Sequence, residues 1–194
     1  MRWTTAVIVA ALGLSSCTAA SHERYSDISD VAESPTQHFL HLAGRPGDVT
    51  QRDRNFVYRA TVHCLYDLEL AQLAQERATN PAVRDFARGV TNECRAQDRQ
   101  LAVVAEEHVG VTPPVTLDRA HAAMRDQIAA LSGEAFDRAY ARDQIAATDR
   151  AAQLFLTQSG SGSEPVLQRF AAAALPGLQQ RQRAAHELEG QLSN

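Results

Sequence analysis

The dipeptide Asn80-Pro81 constrains this chain more than any other feature. Asparagine is a favoured N-cap, and proline is well tolerated in a helix only in its first turn. The pair therefore opens a helix at 81. It also closes whatever precedes it, because the residue before a proline is held out of the helical region. Apolar residues recur at Val57, Ala60, Cys64, Leu68 and Ala71 on one side of it. Val83, Phe86, Ala87, Val90, Leu101, Val104 and Ala105 follow on the other. Both series keep helical spacing. Phe56 to His108 is thus predicted as a helical hairpin that turns at Thr79-Asn80-Pro81. Thr50 and Asp53 make a capping pair that starts the first helix near 51. Gly110 stops the second.

Further along, Val111-Thr112-Pro113-Pro114 reads as an extended link. A helix begins at Thr116 or Asp118 and runs to about Leu131, and Ser132-Gly133 breaks it. A longer helix is expected from Glu134 to about Gln158, then a flexible loop over Ser159–Ser163. The last helix opens at Glu164-Pro165 and ends near Gly190. Pro176 within it removes a hydrogen bond and should bend it. Pro81-Ala82-Val83-Arg84-Asp85-Phe86-Ala87 matches Pro165-Val166-Leu167-Gln168-Arg169-Phe170-Ala171, with phenylalanine five residues after proline in each. Two such hairpins would pack as a four-helix bundle with a pseudo-twofold relation. Chance likeness of two helix starts is the alternative. The fold class expected is all-α: four helices, the third broken, over residues 51–190. Aromatic content of 6% and the scarcity of β-branched runs agree with that.

Charge excludes some chemistry. The net charge of −4 leaves no nucleic-acid footprint. All 19 basic residues are arginine, so lysine Schiff bases and lysine-dependent phosphate loops are ruled out.

Residues 1–17 read as a bacterial lipoprotein signal. Arg2 and the amino terminus supply positive charge, and Ala6 to Leu14 supply an apolar stretch too short for a permanent span. Leu14-Ser15-Ser16-Cys17 resembles a lipobox, which makes Cys17 the lipidated residue and the membrane a partner through its acyl chains. An ordinary signal cut near Ala19-Ala20 is the alternative. Thr18, rather than aspartate, after the cysteine favours the outer membrane, facing the periplasm or the cell surface. Residues 18–50 read as a tether, with a root-mean-square reach of about 30 Å as a flexible coil. One short helix is expected within it, from Ser34-Pro35 to Gly44. His38 and His41 there fit an exposed face better than a metal site.

Taken in order, several short stretches resemble a bacterial envelope family of unknown function with a ferritin-like helical bundle. They are Asp67-Leu68-Glu69-Leu70, Val83-Arg84-Asp85-Phe86-Ala87, Leu131-Ser132-Gly133, Phe136-Asp137-Arg138-Ala139-Tyr140 and Leu175-Pro176-Gly177-Leu178. The resemblance covers about residues 53–188. It implies site positions at Asp67 and Glu69 in the first helix, Glu93 and Cys94 in the second, Thr148 in the third and Arg181 in the fourth. The family often carries histidines at the last three of these places. This chain carries Cys94, Thr148 and Arg181 instead, and it has no Glu-x-x-His pair. Asp118 and His121 form one Asp-x-x-His, but Asp118 also suits a helix start. The expected set is degenerate, with Arg181 where a cation would sit, paired to Asp67 or Glu69. No cofactor is expected.

Cys64 and Cys94 are equidistant from residue 79 and should lie level across the hairpin. A disulfide between them is one reading, and two free thiols used as small core residues is another. His63, four residues before Asp67, reads as half of a surface ion pair. His108 complements a helix end. The function expected is a lipid-anchored, non-catalytic structural or interaction module with an unknown protein partner. The alternative is a ferritin-like metal or redox protein.

Overall fold

The computed structural model describes residues 49–193. The leader, nearly all of the tether and the short helix expected from Ser34 to Gly44 lie outside the described residues. Within them the chain is an all-α bundle of five helices: α1 (Gln51–Arg77), α2 (Pro81–Val104), α3 (Arg119–Ala129), α4 (Gly133–Ser161) and α5 (Pro165–Leu192). Helices α1 and α2 form the hairpin turned at Asn80-Pro81, and α4 and α5 form a second. The hairpins meet α1 against α4 and α2 against α5, and α3 crosses over α1 and α4.

The helix ends follow from side-chain chemistry. Thr50 and Asp53 form a full capping box at α1, with Thr50 N donating to Asp53 Oδ2 at 3.0 Å. Asn80 Oδ1 accepts from Ala82 N at 2.8 Å, and Asp118 Oδ1 accepts from His121 N at 2.9 Å. One π-helical turn, Ala105–Val109, prolongs α2 to Gly110, whose φ of 65° is open to glycine. The break between α3 and α4 likewise needs Gly133, at φ 58°. Arg77 closes this corner by donating to Ala129 O at 2.7 Å and Leu131 O at 2.9 Å, carbonyls that the end of α3 leaves unpaired. The helix α5 continues through Pro176.

One expectation is corrected. Ser159, Gly160 and Ser161 are helical, so the loop between α4 and α5 is shorter than Ser159–Ser163. Composition suggested a loop, but the last turn is held from outside: Gln158 reaches Asp53 Oδ1 at 2.8 Å, and Gly162 N bonds Gln158 O at 2.9 Å. A Cβ at Gly162 would stand 2.7 Å from the backbone oxygen of Gln158, which leaves that position to glycine.

The internal repeat extends far beyond the two helix starts. Residues 53 and 137 differ by 84, as do 81 and 165. Asp53, in the first turn of α1, accepts from Ser163 N at 3.1 Å and Glu164 N at 3.3 Å. Asp137, near the start of α4, accepts from Thr79 N at 3.2 Å and Asn80 N at 2.9 Å. The aromatic pairs obey the same offset. Phe56 meets Phe170 edge-on at 6.2 Å and 70°, and Tyr140 meets Phe86 edge-on at 6.2 Å and 79°. The two hairpins are thus quasi-equivalent. Each starts the other's second helix.

Two apolar clusters fill the bundle. One, near the α1–α2 turn, includes Leu70, Val83, Val90 and Phe136. The other, near the α4–α5 loop, includes Phe56, Leu101, Phe155, Val166 and Phe170. Among the described residues no helix is long and apolar enough to cross a membrane.

Candidate functional site

A group of buried polar side chains converges on the interior faces of all four long helices. Helix α1 supplies His63, Cys64 and Asp67, which fall on one face by helical spacing. Helix α2 supplies Glu93, Cys94 and Gln97. Helix α4 supplies Tyr140, Gln144 and Thr148, four residues apart. Helix α5 supplies Arg181. All but Glu93 are buried, and Asp67, Cys64, Cys94, Tyr140, Gln144 and Thr148 are completely so.

The guanidinium of Arg181 is the hub. Its Nη1 donates to Asp67 Oδ2 at 2.8 Å and lies 3.4 Å from Cys94 Sγ. Its Nη2 donates to His63 Nε2 at 2.8 Å. Its Nε stands 3.9 Å from Glu93 Oε2. Gln144 Nε2 donates to the other Asp67 oxygen, Oδ1, at 3.3 Å. Cys64 Sγ points to Gln97 Oε1 at 3.7 Å, and Cys94 Sγ points to Asp67 Oδ2 at 3.8 Å.

These bonds fix protonation states. Arginine has only donors, so His63 Nε2 must accept, and the ring is neutral with its proton on Nδ1. The electrostatics agree. Burial pulls the His63 pKa down to about 4, with nearby Arg181 and Arg150 adding to the effect and Asp67 opposing it. Burial also disfavours the charge on Arg181, but Asp67, Cys94 and Glu93 more than offset that and raise its pKa. Burial raises the Glu93 pKa against the pull of Arg181. Contact with Cys94 and burial push the Cys64 thiol well up, so it is a poor nucleophile. Beside the cluster, burial raises Asp143 to about 6, although the nearby Tyr66 hydroxyl works the other way.

Of the expected site residues, the structure brings together Asp67, Glu93, Cys94 and Arg181, with Thr148 fully buried one turn from Gln144. Glu69 is a correction. It faces outward and pairs with Arg125 of α3, because residues two apart on a helix cannot share the inner face. His63 is a second correction. Instead of a surface ion pair it makes a buried bond to Arg181, though it keeps Asp67 as a neighbour at 3.4 Å. The Cys64–Cys94 bridge is not formed. The two thiols are adjacent, but both are free and buried, and each is turned toward a polar partner of its own. Gln97, Tyr140 and Gln144 were not foreseen. The spacing of Tyr140, Gln144 and Thr148 on one line of α4 was the signal available.

A di-metal centre of the kind found in ferritin-like bundles does not fit this donor set. Among the described residues no three His, Cys, Asp or Glu side chains are placed to hold a metal ion. The position between Asp67, Glu93 and Cys94 is taken by a permanent cation of the chain's own.

No curated protein matches the chain. A solved structure, the crystal structure of a DUF305 fragment from Deinococcus radiodurans, is similar in fold, with a TM-score of 0.65 over 74% of this chain and 98% of that one. Identity is 22%, so the likeness concerns the fold alone. A family model described as "Domain of unknown function (DUF4142)" matches residues 42–188. That stretch holds the whole polar centre and most of the bundle around it, and the chain belongs to the DUF4142 family.

Proposed function

We propose that this is a lipid-anchored protein of the bacterial envelope, whose bundle serves as a non-catalytic structural or interaction module. The observation that carries the second half is the Arg181 guanidinium bonded to Asp67 at 2.8 Å in the centre of the bundle, where its side chain is 3% exposed. An internal arginine supplies the charge a metal would supply, and it neither dissociates nor changes oxidation state. The side chains beside it are already engaged: Cys94 is fully buried with its Sγ on Asp67, Cys64 is held as a thiol, and His63 accepts from Arg181. In this reading the centre fixes helix register, a use to which buried polar groups are put in other bundles.

Anchoring rests on the sequence Leu14-Ser15-Ser16-Cys17. The mature chain begins at an acylated Cys17, residues 18–50 form the tether, and Thr18 directs the protein to the outer membrane. The ferritin-like arrangement is part of the same reading, supported by the pairing of two hairpins.

Intact-mass measurement on protein from native membranes tests the anchor. Two or three acyl chains on a chain starting at Cys17 are expected, and an unmodified chain starting at Ser21 would overturn it. Elemental analysis tests the module. Stoichiometric iron, manganese or zinc retained by the wild-type protein would reinstate a metal role.

A further inference from the structure

A groove of about 480 Å³ lies between α1 and α4, beneath α3. It is separate from the polar centre except at His63, which lines it from behind. Val62, Ala147, Ala151, Leu154 and Met124 make its apolar lining. Arg59 on α1 and Arg150 on α4, both exposed, face it from opposite sides. Its lining acid, Asp118, already accepts from His121 Nδ1 at 2.9 Å and from the Tyr58 hydroxyl at 3.3 Å. His63 is neutral and bonded to Arg181, so it adds no charge. The groove therefore has a net positive rim over a hydrocarbon floor. Arg59 and Leu154 also line an adjoining hollow of about 320 Å³, but Gln51, Arg52, Asn55 and Gln158 make that end polar, so the apolar floor stops at Leu154.

Each property selects a ligand. The volume is in the range of small-molecule sites, which are typically about 300–1,000 Å³ and mostly apolar with a few converging polar groups. Guanidinium pairs favour carboxylate and phosphate oxygens. An apolar floor of Val62, Ala151 and Leu154 favours a short alkyl chain over a compact polar metabolite. We propose that this groove binds a single-chain anionic amphiphile, its carboxylate or phosphate head held by Arg59 and Arg150 and its chain laid over Val62, Ala151 and Leu154.

The test is calorimetric titration of the full chain with octanoate, octyl phosphate and 1-octanol, each below its aggregation limit. At least one anion should bind saturably with a single site, at least tenfold more tightly than octanol. The tighter of the two anions identifies the head. The double variant Arg59→Gln/Arg150→Gln should weaken the anion at least tenfold and leave octanol unchanged. Both arginines are exposed, so thermal unfolding of that variant should match wild type. Leu154→Gln should weaken anion and alcohol alike. Absence of saturable binding, equal affinity for octanol, or anion binding indifferent to the arginine substitutions would each overturn the proposal.

Discussion

Asp53 and Asp137 stand 84 positions apart and do the same work at opposite ends of the bundle. Each carboxylate sits near the start of the first helix of one hairpin and takes the backbone N–H groups that open the second helix of the other. Thr79-Asn80 and Ser163-Glu164, also 84 apart, are the two recipients. Burial works against ionisation of Asp53, but hydrogen bonds from Thr50, Gln158 and Ser163 outweigh it and hold the pKa near 2.

Asp53→Asn should therefore loosen the α4–α5 loop, and Asp137→Asn the α1–α2 turn. Each should cost about 1–3 kcal/mol, the range for stranding buried hydrogen-bonding groups. Hydrogen exchange should show the loss of protection at Ser163 and Glu164 in the first variant and at Thr79 and Asn80 in the second. The contribution of Asp53 is complete above the ordinary carboxylate range, near pH 4, and is lost as pH falls through 2.

Arg181→Met should be among the most damaging single changes in the chain. It leaves Asp67 and Glu93 without their partner, and breaking a buried pair in this way typically costs about 3–5 kcal/mol. Combining it with Asp67→Leu removes the stranded charge as well. Urea titration should find the double variant more stable than Arg181→Met alone, a sign of coupling that two independent sites would not give.

Two groups beside the polar centre, buried His63 and half-buried Asp143, should oppose each other on acidification. His63 faces Asp67 on its own helix, His121 on α3, Arg150 on α4 and Arg181 on α5, and its pKa falls from 6.5 to about 4 on folding. The unfolded chain takes up this proton first, so stability is lost as pH drops from 6.5 to 4. Asp143, raised to about 6, takes up its proton first in the folded state, so it adds stability from 6 down to 4. Asp143→Asn removes that compensation. Its unfolding free energy should fall on the order of 2–3 kcal/mol further than wild type between pH 7 and pH 4.

Cys64 and Cys94 should resist alkylation in the native protein and both react on unfolding without reductant, as read by mass. Their complete burial blocks access, and the raised pKa of Cys64 leaves little thiolate. A native mass two hydrogens short, restored by reductant, would instead show that the adjacent thiols oxidise.

The bundle was legible because its signals are local. Asn80-Pro81, Ser132-Gly133 and Glu164-Pro165 mark helix boundaries by backbone chemistry alone, and the apolar stripes give the period. The centre was only partly legible because its bonds span distant helices. His63 and Asp67 at i and i+4 make the usual pattern of a surface pair, and only Arg181, on another hairpin, turns that pattern inward. Glu69 could have been set aside from sequence, since it lies two residues from Asp67. The repeat was visible at Pro81 and Pro165, where proline marks the register. Asp53 and Asp137 stayed hidden because aspartate near a helix start already has a local explanation. The repeat also fails at the centre: the places equivalent to His63 and Asp67 in the second hairpin are Ala147 and Ala151.

The exchange of carboxylates has a kinetic consequence. Tight turns between helices usually form early, because their contacts are close in sequence. Here the donors of each turn wait for an acceptor 57 to 111 residues away. Closing loops of that length carries an entropic barrier. Neither hairpin gains its full turn until both have docked, so the rate-limiting step of folding should be the meeting of the two halves, and it should slow as the Val111–Leu117 link is lengthened.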